Sequence, residues 1–267
     1  MSVLIRTSLL SLALAVPLLL FGQPQTNAPM QDEGLADLHS ASQRIFALAN
    51  QTRVQAGVGR LSWDPALAMA ALEHCRRMVA EGPVSHRYGG EADLTTRTAN
   101  AGARFSVIEE NIAVGPSADE IHNEWMNSPG HRSNLLSPDV DHVGIAVVAS
   151  RGVLYAVADY SQAVPALSLA QVEARVAGLI RVSGVTVLGD PTLARGACAE
   201  DTGVPRAAAG PQPRFVLRWQ DSELTRLPEA LVNQLSSGNY RQASVGSCPA
   251  QNVEGSFTSY RVAVLLY

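Results

Sequence analysis

Two hydrophobic periods follow one another along the first half of the chain. Leu38, Ile45, Leu48 and Ala49 fall on one stripe at helical spacing, which predicts a helix over roughly 35–55 that Gly57 and Gly59 end. Asp64-Pro65 supplies an N-cap and a proline at the first helical position. The helix that follows buries Leu67, Ala71, Cys75, Met78 and Val79, and Gly82-Pro83 stops it, leaving Ser85-His86 in a loop. Ser117 and Glu120 have the spacing of a capping box, so 118 to about 127 reads as a helix with Ile121 and Trp125 turned inward. Pro129-Gly130 breaks it, and a short helical stretch restarts at His131. The period then changes to that of strands. Residues 143–149 and 153–160 are β-rich and are separated by Ser150-Arg151-Gly152, a hairpin signal. Helices around an antiparallel ribbon make an α+β layer structure.

Composition narrows the class of partner. The net charge is -4 and no basic stripe with interleaved aromatics occurs, so no nucleic acid partner is expected. One arginine precedes an apolar run over 7–21 that Pro17 interrupts. This is the pattern of a secretory signal peptide, with cleavage after Gly22 or Ala28. Residues 1–28 are therefore read as signal peptide and linker, polar Pro-containing sequence continues to 34, and membrane contact is expected only if that leader stays uncleaved. The location implied is secreted, periplasmic or extracellular, where disulfides form. Cys198 with Cys248 is the economical pair, and Cys75, on an apolar helix face, reads as a buried thiol.

The remainder, 167–267, reads as a smaller second α+β domain. Asp190-Pro191-Thr192-Leu193-Ala194 echoes Asp64-Pro65-Ala66-Leu67-Ala68, and the apolar end of the chain resembles the strand around Tyr155. A degenerate repeat of the first fold and a chance recurrence of an Asp-Pro helix start both account for this. No histidine follows His142, so this half cannot hold a second His-Glu-His site, and its expected role is structural or partner binding.

The candidate chemistry lies in His86, Glu110 and His131, each placed by its Gly, Pro, Ser and Asn neighbours in a turn or at an element boundary, where polar groups can converge on a cleft. Ser85-His86, EENIA at 109–113, WMNSPGHRSNLL at 125–136 and HVGIAVV at 142–148 together resemble the CAP superfamily (cysteine-rich secretory, antigen 5, pathogenesis-related 1) in its bacterial SCP form. The resemblance covers roughly 40–162, assigns 35–165 to a CAP domain and implies an α-β-α sandwich. It also implies that His86, Glu110 and His131 line a central cleft with a second glutamate three residues after the tryptophan. That position is Ser128 here, and Glu124, one helical turn away, is the candidate replacement.

Two imidazoles and carboxylates suit zinc or another divalent cation, so His86, His131, Glu110 and Glu124 are the candidate metal ligands. A metal-bound water with Glu110 as its base would make a hydrolase. The incomplete tetrad favours the other reading, an extracellular ligand- or partner-binding module and not an enzyme; the resemblance implies lipids such as sterols or fatty acids, and an envelope component is the other partner expected. Ser128 and Ser133 flank His131, but no Gly-x-Ser-x-Gly elbow supports a serine hydrolase. His39, His74, His122 and His142 read as surface or interlayer residues.

Overall fold

The computed structural model describes residues 30–250 and 257–267, with side chains from residue 38. The signal-peptide reading of 1–28 lies outside the described residues. Helix α1 runs over Met30–Gln55, so it begins five residues inside the stretch that composition assigned to a linker. Its buried stripe is Ile45 and Ala49, flanked by half-buried Leu38 and Leu48. Strand β1 (Ser62–Trp63) leads into α2 (Pro65–Glu81), which Asp64 caps by accepting from the N–H groups of Ala66 and Leu67. Leu67, Ala71, Cys75 and Met78 of α2 are buried as expected, whereas Val79 is half-exposed. Then come α3 (Leu94–Asn100), β2 (Phe105–Gly115), α4 (Ala118–Asn127), α5 (Pro129–Leu135), β3 (His142–Ser150) and β4 (Val153–Ala163). Ser117 caps α4 by accepting from Glu120 N–H, and Arg151 and Gly152, both with positive φ, make the β3–β4 turn.

The first sheet has the order β1-β3-β4-β2, with β1 parallel to β3 and the other pairs antiparallel. Strand periodicity sorts its residues to two faces. Ala113, Val143, Ile145, Ala158 and Tyr160 pack under α1, α4 and α5, while Ile112, Ala146 and Val157 pack under α2. Helices cover both faces, so this half is an α-β-α sandwich. Gly144 sits where α2 starts: a Cβ there would lie 2.0 Å from the Ala68 nitrogen. Only glycine lets the helix lie flat on the strand at this point.

The second half contains α6 (Leu169–Arg181), β5 (Thr186–Val187), α7 (Thr192–Ala199), β6 (Phe215–Asp221), α8 (Glu229–Ser236), β7 (Gln242–Cys248) and β8 (Tyr260–Leu266). Its sheet order, β5-β7-β8-β6, and its strand directions are those of the first sheet, with no counterpart of α3 or α5 between the strands. Gly246 repeats the role of Gly144, since a Cβ there would lie 2.1 Å from the Arg195 nitrogen in α7. The resemblance holds in detail. Asp64 N–H bonds Val143 and Leu188 N–H bonds Ala243, so Asp190 and Gly246 are each displaced two residues along their strands relative to Asp64 and Gly144. A two-residue slide keeps every side chain on its face.

Cys198 and Cys248 are disulfide-bonded, tying α7 to the end of β7. Cys75 is a buried free thiol that donates to the Tyr155 carbonyl, and burial pushes it up to about 12, far from the thiolate a nucleophile needs. The halves meet where Thr258 N–H donates to the Phe105 carbonyl, and the Phe105 ring meets Phe257 edge-on at 5.7 Å.

Candidate functional site

Strand β2 is an edge, and an edge strand leaves outward carbonyls without ladder partners. Two side chains from the helices beyond it supply donors: Trp125 Nε1 bonds the Ile112 carbonyl at 3.2 Å, and Asn134 Nδ2 bonds the Glu110 carbonyl at 3.0 Å. Asn111 closes the arrangement by donating to the His131 carbonyl and accepting from Asn134. The WMNSPGHRSN segment thus lies along the edge and places His131, in the first turns of α5, beside β2.

From the other face comes the loop between α2 and α3, built around a histidine. His74, on the buried side of α2, has no exposed surface, and its ring nitrogens face Glu91 Oε1 at 2.7 Å and the Ser85 carbonyl at 3.0 Å. Glu91 also accepts from Tyr88 N–H. Burial raises its carboxyl, but these hydrogen bonds outweigh it and hold the group below the usual range. The loop so pinned carries His86, whose side chain is 59 % exposed, with Nδ1 2.7 Å from Glu110 Oε1.

Glu110 is not in a turn, as its neighbours suggested; it lies mid-strand in β2, buried at 6 % exposure. Turn-forming residues misled here because the strand continues through Asn111, whose amide bonds to α5 instead of bending its own chain. The second Glu110 oxygen pairs with the Arg97 guanidinium from α3. Arg97 also approaches Asp159 at 3.8 Å, and Asp159 is the residue directly across from Glu110 in β4. Asp159 has no exposed surface. Burial, and then the neighbouring Glu110 charge, push its carboxyl well above the usual range despite Arg97, and so favour the protonated form.

The two cleft imidazoles are shifted in opposite directions. The hydrogen bond to Glu110 raises His86 above 6.5, with burial opposing. Burial lowers His131, and the His86 charge lowers it further, while Glu124 opposes both. His131 Nδ1 is buried without a hydrogen-bond partner, which is why an added proton is unwelcome there. The opposed shifts favour the charged form at His86 and the neutral form at His131.

The structure brings His86 and Glu110 into contact and sets His131 and exposed Glu124 within electrostatic range of one another. Among the described residues no three His, Cys, Asp or Glu side chains gather as a metal-holding group. Glu110, with one oxygen on Arg97 and the other on His86, would have to give up a partner to serve as a ligand. The residues as arranged do not fit a metal bound through Glu110. Of the remaining histidines, His74 and His122 are buried, His142 is half-exposed and His39 is exposed. Sequence reasoning missed Arg97, Asp159, His74 and Glu91. Asp159 had a signal, a lone carboxylate within the apolar run of β4; Arg97 had none.

An α-β-α sandwich with a polar cleft at its open sheet edge defines the class. Residues 46–160 match the cysteine-rich secretory protein family, CAP, so this segment of the chain carries a CAP domain. It is 33% identical over 123 residues to the uncharacterized membrane protein YlbC of Bacillus subtilis, covering 44% of this chain and 35% of that protein. It is 31% identical over 111 residues to the uncharacterized protein YkwD of the same organism, covering 40% and 42%. The match spans less than half the length of either relative. Among solved structures, it is similar to an extracellular SCP-domain protein from Bacillus anthracis at 25% identity and TM-score 0.46, covering 53% of this chain and 45% of that one. It is also similar to an outer surface protein from Borrelia burgdorferi at 19% identity and TM-score 0.44, covering 46% and 93%.

Proposed function

We propose that this protein is an exported recognition module that binds a carboxylate-bearing ligand at the edge cleft. The observation that carries the reading is the engagement of Glu110 by both Arg97 and His86, which makes the carboxylate a support for a protonated His86 and presents that imidazole, 59 % exposed, to a ligand. An imidazolium beside a neutral imidazole matches an anionic or strongly accepting group. Among the lipids that the family resemblance implies, a fatty acid has such a group and a sterol does not. Export is supported by the leader-like residues 1–28 and by the Cys198–Cys248 bridge, which an oxidising compartment permits. Among the described residues no helix is long and apolar enough to cross a membrane.

The test is calorimetric titration of the full chain with octanoate at pH 6 and pH 8, beside His86→Ala and His131→Ala. Binding should be tighter at pH 6, where His86 is charged, and should weaken most in His86→Ala. No octanoate binding, or binding indifferent to both variants, ends this reading. A parallel zinc titration decides the metal question. Stoichiometric zinc lost in both variants would replace the carboxylate reading with an ion held by the His86 and His131 imidazoles and Glu124.

A hydrolytic reading draws on one observation, the opposed shifts of His86 and His131, which resemble an acid and base pair. It requires an activity that Glu110→Ala abolishes while leaving metal affinity largely intact.

A further inference from the structure

Helix α5 has a second working side. His131 and Asn134 turn toward β2, whereas Pro129, Arg132, Ser133 and Leu136 share the opposite stripe at helical spacing and line a separate cleft of about 670 Å³. Its apolar wall is Met126, Pro129 and Leu136. Its carboxylates are Glu109, which lies across from Tyr160 and so projects to the opposite face of β2 from Glu110, and the exposed Asp139. The wall is prebuilt: buried Arg53 donates to the carbonyls of Leu135, Ser137 and Val140, fixing the loop that carries Asp139.

Glu109 is the anomaly. Its Oε2 is buried without a hydrogen-bond partner and Ser137 hydrogen-bonds the carboxyl, so the half-buried group reaches the cleft wall with its acceptors only partly matched by donors. Burial raises its carboxyl and the neighbouring Asp139 charge adds to this, while Ser137 and Arg53 only partly oppose them. An anion entering the cleft would meet two carboxylates. Exposed Arg132 places one positive charge among its lining residues.

We propose that this cleft binds an aliphatic primary ammonium group, with the ammonium donating to Glu109, Asp139 adding long-range attraction, and the stem lying on Met126, Pro129 and Leu136. A lysine side chain of a peptide and a free alkyl amine share this chemistry. The site needs no metal and uses neither cleft histidine, so it stands or falls apart from the carboxylate-binding reading.

The experiment is titration of the full chain, followed by amide chemical shifts in NMR, with n-pentylamine, n-pentanol and the capped peptide acetyl-Gly-Lys-Gly-amide. Pentylamine should bind saturably, shifting amides of 126–139, and pentanol should bind at least about tenfold more weakly. Glu109→Gln should weaken pentylamine by about tenfold to a hundredfold, the usual worth of a hydrogen bond to a charged group. Asp139→Asn, at an exposed position, should weaken it about two- to fivefold and serves if Glu109→Gln fails to fold. A capped peptide that outbinds pentylamine points to a protein partner; equal binding points to a free amine. The proposal is overturned if pentylamine binds no better than pentanol, or if Glu109→Gln, or Asp139→Asn in its place, leaves its affinity unchanged.

Discussion

Across the first sheet one row reads Glu110, Asp159, Gly144, and the matching row of the second reads Arg218, Ala263, Gly246. The glycine, which lets a helix start flat against the sheet, is kept in both. The two acids are not. In the first half Glu110 faces a buried network and holds an exposed imidazole. In the second half the guanidinium of Arg218 is spent on the chain itself, donating to the carbonyls of Ala197, Thr202 and Gly203 at the end of α7 and beyond it. One framework therefore carries a cleft built from charged groups in one copy and a self-satisfied loop anchor in the other. The glycine belongs to the fold and the acids to the site.

Four expectations sharpen or break that comparison. Arg97→Met strands Glu110 with its charge buried beside Asp159 and should destabilise the chain by about 3–5 kcal/mol in urea unfolding, whereas Arg218→Met, which only frees backbone carbonyls near the surface, should cost about 1–2 kcal/mol. Equal losses would mean that the two rows do the same work. Gly144→Ala and Gly246→Ala should behave alike, each costing about 3 kcal/mol, because each new Cβ meets helix backbone that cannot move aside. A loss at one glycine alone would break the repeat.

A reductant should destabilise the chain by about 2–4 kcal/mol through Cys198–Cys248 and leave Cys75→Ser, once folded, as sensitive to reduction as wild type. Loss of that sensitivity in Cys75→Ser would place the redox response in the wrong half. Asp159→Asn should cost less than about 1 kcal/mol at pH 7, since the amide is nearly the shape of a carboxyl already pushed toward its protonated form. Its pH dependence carries a sign. A carboxyl raised on folding binds more protons in the native than in the unfolded state, so its contribution is present below the unfolded pKa and is lost as pH rises through the folded value. The Asn variant lacks that loss, and its stability should fall less than wild type between about pH 5 and 8. A steeper fall in the variant would show that Asp159 is ionised in the native protein.

The layers of the first half were legible because helix caps and hydrophobic periods are local signals: Asp64, Ser117 and the Ser150-Arg151-Gly152 turn all act within a few residues of themselves. The echo at Asp190 was legible for the same reason, and only strand order lifted it above chance. The cleft was half legible. His86 and His131 stand in sequence contexts that mark element ends, but Glu110 was misplaced into a turn because Asn111, a turn former in isolation, spends its amide on another element. Arg97 and Asp159 are joined to Glu110 only by strand register and helix packing, which no local pattern encodes.

The most direct test of the account is an NMR titration of the ring protons of His86 and His131 in the full chain, with Glu110→Gln beside wild type. His86 should titrate above 6.5 and His131 below it, and Glu110→Gln should bring His86 down while sparing the order of the others. If His86 titrates at or below His131 in the wild type, or is unmoved by Glu110→Gln, then Glu110 does not serve His86 and the charged cleft that separates the two halves is not there.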